Sequence, residues 1–177
     1  MDEQIDIIND KNEVIKITGK TVAHKEGLLH RIVIGELVNG KGEYCFVKQS
    51  VDRQDPGQYV SPIGGHVGSL EGSDDALIRE CEEELGFTPN NFEYVGSTIY
   101  DREVIGRHEN HLFLVYKIRG EENPVLNHES VSFKWFSIND IQRTLRDNPQ
   151  TFGAAWHHVF KNIFPKKKLY IRRLIPF

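Results

Sequence analysis

The stretch from Gly64 to Phe87, GGHVGSLEGSDDALIRECEEELGF, narrows the choice of fold because it sets a carboxylate-crowded helix between glycine-containing ends. Ser73, followed by Asp74 and Asp75, reads as the helix start, since a hydroxyl caps free amides and early carboxylates suit the positive end of the dipole. Gly86 supplies the stop. At about 100° per residue, Leu77, Ile78, Cys81 and Leu85 fall in one stripe, which predicts a core-facing surface. Glu80, Glu83 and Glu84 fall in an adjacent arc, and Glu82 lies apart from them. Carboxylates held beside a core are poorly screened from one another, so each calls for a proton or a cation. Hard oxygen donors favour Mg²⁺, Mn²⁺ or Ca²⁺, and magnesium commonly joins a carboxylate or two to waters and substrate phosphates. The acidic face therefore points to a phosphorylated substrate.

The remainder of the 177 residues reads as one domain, 1–177, with no linker, repeat or low-complexity segment. IDII with EVIKIT, and RIVIGELV with YCFVKQ, bracket turn-prone NDKN and NGKG and predict two β-hairpins. YVGSTIY, HLFLVYKI and VSFKWF predict further strands, and helices are expected near 139–146 and 154–163. Strands in runs, with few helices, predict an α+β fold in which helices sandwich a mixed sheet. The formal charge of −4 gives no general attraction to nucleic acid or anionic membrane, so phosphate binding has to be local. Neither GxGxxG nor GxxxxGK[ST] is present. The acidic start MDEQIDIINDKNE lacks the pattern of a signal peptide, and no apolar run is membrane-sized, so the cytoplasm is the expected compartment. Cys45 and Cys81, in separate apolar segments without metal-like spacing, read as buried free thiols. The basic cluster KKKLYIRR at 166–173 reads as a solvated, partly packed terminus.

The acidic segment resembles the Nudix box, G-x5-E-x7-R-E-U-x-E-E-x-G-U with U a bulky apolar residue. This chain supplies Gly65, Glu71, Arg79, Glu80, Cys81, Glu83, Glu84, Gly86 and Phe87 at those spacings. The resemblance implies an α/β/α sandwich and a Mg²⁺- or Mn²⁺-dependent hydrolase that cleaves the diphosphate of a nucleoside diphosphate derivative by water attack at phosphorus. It further implies that Glu80, Glu83 and Glu84 hold the metal together with the Gly64 carbonyl, that Glu71 orients Arg79, and that Gly65 leaves room where a side chain would obstruct the metals or phosphates. It leaves room for a homodimer.

Flanking segments GLLHR, PGQYVSPIGGHV and HENHLFLVYK are similar to the isopentenyl-diphosphate isomerase branch of the same superfamily, loosely from Gly27 to Phe164. In those isomerases a cysteine before Gly-His and a glutamate in an E-N-E triplet move protons, and histidines with glutamates bind a metal. Here Gly64 stands at the cysteine position and His111 at the second glutamate of Glu109-Asn110-His111. Glycine cannot donate a proton, so these substitutions favour hydrolase over isomerase. A third reading is a non-catalytic Nudix fold that binds a ligand, although such proteins commonly lose box carboxylates and none is lost here. Glu109 is expected to be an extra metal-binding or base glutamate. Among His24, His30, His66, His108 and His111, the pair His66 and His111 is expected to flank the metals and contact substrate. Tyr59, Tyr100 and Trp156 are left without a functional role.

Overall fold

The computed structural model describes residues 2–164; the basic cluster at 166–173 lies outside them. In chain order the elements are β1 (Gln4–Ile8), β2 (Val14–Gly19), α1 (Lys20–Glu26), β3 (His30–Val38), β4 (Tyr44–Gln49), β5 (Tyr59–Val60), β6 (Ile63–His66) and α2 (Ser73–Leu85). They continue with β7 (Phe92–Val104), β8 (Arg107–Arg119), β9 (Ser130–Phe136), α3 (Ile138–Asp147), a 3-10 turn (Pro149–Thr151) and α4 (Ala154–Ile163).

All the strands belong to one mixed sheet centred on β3, which pairs antiparallel with β6 along one edge and parallel with β8 along the other. Its two ends also touch β1 and β4. A strand enclosed in this way must be apolar on both faces, and HRIVIGELV is buried almost throughout. Val33 and Leu37 pack with Leu77, Cys81 and Leu85 of α2 on one face. Ile32 and Ile34 pack with Val159 of α4 on the other. Helices thus cover both sides of the sheet, and the α+β sandwich expected from the sequence is the fold. Among the described residues no helix is long and apolar enough to cross a membrane.

The first expected hairpin is present as β1–β2. The second opens out: β3 and β4 pair only at Val38 and Tyr44, because β6 and β8 compete for the β3 edges and β9 takes β4. The helix start also differs from expectation, since Gly72 is the N-cap of α2 and no side chain caps it. Ser73 is drawn instead to Tyr116, whose hydroxyl donates to Asp74 at 2.6 Å and lies 2.9 Å from the Ser73 oxygen. Gly86 does end the helix, in the left-handed region at φ 78°, where glycine avoids the Cβ strain. Cys45 and Cys81 are buried free thiols, as expected.

Two buried positions of β3, His30 and Glu36, depart from the apolar pattern. Glu36 is fully buried and accepts a hydrogen bond from the Ser61 hydroxyl at 2.7 Å. Burial pushes its carboxyl up to about 7, against the opposing pull of Ser61 and Trp156. The folded chain therefore holds this proton more tightly than the unfolded chain does. Stability from the neutral form is complete below about pH 4.3, and of the order of 3 kcal/mol of it is lost as pH rises through 7. Glu36→Gln is expected to lose that much less stability between pH 5 and pH 8 in urea unfolding. An equal fall in both chains would contradict a buried neutral carboxyl.

Candidate functional site

Helix α2 is locked to the preceding loop by charge. Arg79 donates to both oxygens of Glu71, at 2.8 and 3.0 Å, to Glu80 at 2.6 Å and to the His66 carbonyl at 2.9 Å. Glu71 also accepts the Gly68 N–H at 2.7 Å. This ties loop, strand and helix together, and it is the contact through which Glu71 was expected to orient Arg79. Glu83 approaches the same guanidinium at 3.7 Å with most of its side chain in solvent. Glu84 is anchored from the opposite side, where the Gly64 N–H donates to it at 3.0 Å. The Gly64 N–H thus holds a carboxylate of the helix in place.

These carboxylates feel one another. Burial first, then the charges of Glu80, Glu129 and Glu83, pushes Glu84 up to about 8 in spite of the Gly64 hydrogen bond. Burial likewise raises Glu80, with Arg79 opposing and Glu83 adding to the shift. A divalent cation among the three would supply the charge that a proton otherwise provides, so the donor set fits Mg²⁺ or Mn²⁺. A Cβ at Gly65 would run into the Glu80 carboxyl group, so a side chain there would displace the carboxylate that Arg79 holds.

A second cluster lies on the same cleft. His24 from α1, His30 from β3, His66 from β6 and His111 from β8 bring one ring nitrogen each within 4.8 Å of all the others. Strand pairing makes this inevitable: His30 stands beside His111 in the β3–β8 register, and Ile32 opposite His66 in the β3–β6 register. Nδ1 of His24 faces the His108 carbonyl at 3.3 Å and Nδ1 of His30 faces the Leu28 carbonyl at 2.7 Å. Each then keeps its N–H on Nδ1 and turns the Nε2 lone pair inward, the arrangement that orients metal-binding imidazoles. Buried Nε2 atoms of His30 and His111 have no hydrogen-bond partner among the described residues, and Nε2 of His24 lies 3.1 Å from Nε2 of His66. Burial lowers all four, His30 to about 4 and His66 well below its ordinary value. Four neutral imidazoles suit Zn²⁺, Fe²⁺ or another borderline transition ion better than Mg²⁺. His66 and His111 are therefore brought together as expected, but His24 and His30 complete their group. His108 stands outside it, paired with Asp101.

Glu109 is not among these nitrogen donors. It is 5% exposed, and its oxygens are held by Arg102 at 2.9 Å and Arg107 at 3.4 Å. Arg102 in turn reaches Asp55 at 3.1 Å, and Asp55 faces the first N–H of α4 at 3.3 Å. Glu109, expected to bind metal or act as a base, is here the partner of Arg102 and is approached by Arg107. No local motif announces Arg102, Arg107 or Asp55; their meeting depends on the β7–β8 register and on a loop far away in sequence. One cleft is lined by His24, His66 and His111, by Gly64 and Glu84, and by Arg102 and Arg107, over a floor that includes Ile34, Phe113 and Trp156.

Residues 28–155 match the NUDIX domain model. Isopentenyl-diphosphate Delta-isomerase of Aliivibrio fischeri (strain MJ11) is 28% identical over 92% of this chain and 96% of its own length. Among solved structures, DR0079 of Deinococcus radiodurans superposes with a TM-score of 0.72 at 19% identity, covering 90% of this chain and 98% of that one. The MutT protein of Methanosarcina mazei Go1 superposes with a TM-score of 0.65 at 21% identity, covering 79% and 96%. With the domain model spanning well over half of the sequence and the braced carboxylate helix in place, the chain belongs to the Nudix family.

Proposed function

We propose that the protein is a divalent-cation-dependent hydrolase of a diphosphate linkage in a nucleoside diphosphate derivative. The observation that carries this reading is the intact carboxylate face of α2, with Glu80 and Glu84 held by Arg79 and Gly64 and with no space for a side chain at Gly65. Glu80, Glu83 and Glu84 would hold Mg²⁺ or Mn²⁺, which when bound neutralises diphosphate oxygens and makes a water more acidic. The protein's part is to fix those carboxylates, through Glu71 and Arg79, and to present a cleft with one charged end and an apolar floor. Gln54, Asn127 and Ser130 on the cleft wall offer hydrogen bonds to a sugar or base.

The alternative, an isopentenyl-diphosphate isomerase, draws on the near full-length relatives that carry that name. Against it, Gly64 has no group to donate, and both cysteines are buried in the core with thiols pushed up to about 12. His111 belongs to the imidazole cluster. ADP-ribose, nucleotide sugars, dinucleoside polyphosphates and isopentenyl diphosphate, each incubated with magnesium or manganese, discriminate the two readings. Cleavage of a nucleotide compound with isopentenyl diphosphate left intact is the expected result. Conversion of isopentenyl diphosphate to its allylic isomer, with no nucleotide consumed, would overturn the hydrolase reading.

A further inference from the structure

We propose that Arg107, positioned through the Glu109–Arg102 pair, is an anion-binding residue of the cleft that takes a phosphate group of the substrate at the end nearest the four histidines. Naming phosphate as the anion rests on the diphosphate reading above; the anion site itself rests on the arrangement of charge.

Asp55, Arg102, Glu109 and Arg107 form a chain of alternating sign. The two inner members, Arg102 and Glu109, each have two partners, and their side chains are 17% and 6% exposed. Arg107 is the open end. Its Nε is buried without a hydrogen bond of good geometry, only 3.4 Å from Glu109, and neither Nη is engaged by another described residue. The hairpin turn at Ile105 and Gly106, both in the left-handed region with φ 50° and 68°, sets Arg107 at the start of β8 opposite Val104. Alternation then puts Arg107, Glu109 and His111 on one face of the strand, toward the cleft.

Of the surrounding acids, Asp101 and Glu103 face His108, Glu3 pairs with Lys20 and Glu26 lies near Lys16, and among the described residues none of these four pairs with Arg107. The imidazole cluster adds no negative charge of its own. Asp55 and Glu109 are balanced by Arg102 and Arg107, so an ion held by the histidines would leave that end of the cleft with its full positive charge. An anion with several oxygens is the natural complement to such an ion and an open guanidinium fork.

The test is calorimetric titration of inorganic pyrophosphate, in the presence of magnesium, into the full chain and into its Arg107→Ala and Arg107→Lys variants. Arg107 is partly exposed at a hairpin end, and matched thermal melts establish that the variants are folded. The expected result is at least tenfold weaker binding to Arg107→Ala, with Arg107→Lys falling between that variant and the parent, because the charge is kept while the planar fork is lost. Equal affinities for parent and Arg107→Ala, or no saturable binding to the parent, would overturn the assignment. Arginine-dependent pyrophosphate binding by a chain that cleaves none of the nucleotide panel would leave the anion site standing and remove the hydrolase reading.

Discussion

Glu84→Gln is expected to lower magnesium-dependent turnover by about a thousandfold, equivalent to about 4 kcal/mol of transition-state stabilisation, while leaving the thermal midpoint unchanged or higher. The two halves of this result have one cause. Glu84 is a carboxylate whose burial and whose neighbours Glu80 and Glu83 oppose its charge, and it is pushed up to about 8. A neutral amide of the same shape can still accept the Gly64 N–H and no longer suffers the repulsion. The same amide is a poor ligand for a hard cation, so activity falls while stability holds. A drop in stability that matches the drop in rate would point to a packing role, and full activity in the variant would remove Glu84 from the metal site. Turnover of the best nucleotide substrate, measured beside circular dichroism melts, separates these outcomes.

His30→Ala is expected to weaken binding of Zn²⁺ at least a hundredfold, because it removes a fully buried donor whose Nε2 has no hydrogen-bond partner among the described residues and whose Nδ1 is fixed by the Leu28 carbonyl. Competition against a chromophoric chelator gives the affinity. Substitution with Co²⁺ gives a visible absorption spectrum that reports four-coordinate nitrogen ligation independently of any activity. His108→Ala should leave both readouts unchanged, since only the backbone carbonyl of His108 touches the cluster. Millimolar Mg²⁺ should not displace the bound ion, as hard oxygen-seeking cations compete poorly for four imidazoles. Equal Zn²⁺ affinity in parent and His30→Ala would show that the histidines are held together by packing alone.

What was legible in the sequence follows the range of the interactions involved. The α2 segment is local: its glycine stop, the Glu71–Arg79 tie and most of its apolar stripe are set within a span of about two dozen residues, with Leu77, Cys81 and Leu85 buried as expected, Ala76 joining them and Ile78 only half-buried. The helix at Ala154–Ile163 is legible for the same reason. The departures are cases in which tertiary structure outbids local preference. Ser73 gives up its capping part because Tyr116 claims that end of the helix, and β4 leaves β3 because β9 offers a longer edge. Helix α1 is a seven-residue segment between glycines, too short for a periodic signal, and it carries His24. The histidine cluster draws on four elements spread from residue 24 to 111, and the β3–β8 and β3–β6 registers with the docking of α1 assemble it. Glu109 illustrates the limit from the other side. The sequence shows an acid beside apolar strand residues, but not Arg102, which the β7–β8 pairing brings opposite it.

Anomalous diffraction from crystals soaked in manganese tests the central claim most directly, because it locates the ion without reference to substrate or rate. Peaks bounded by carboxylate oxygens of Glu80, Glu83 and Glu84 are the expected result. Density that shows those three side chains diverging, with no peak between them, would contradict it.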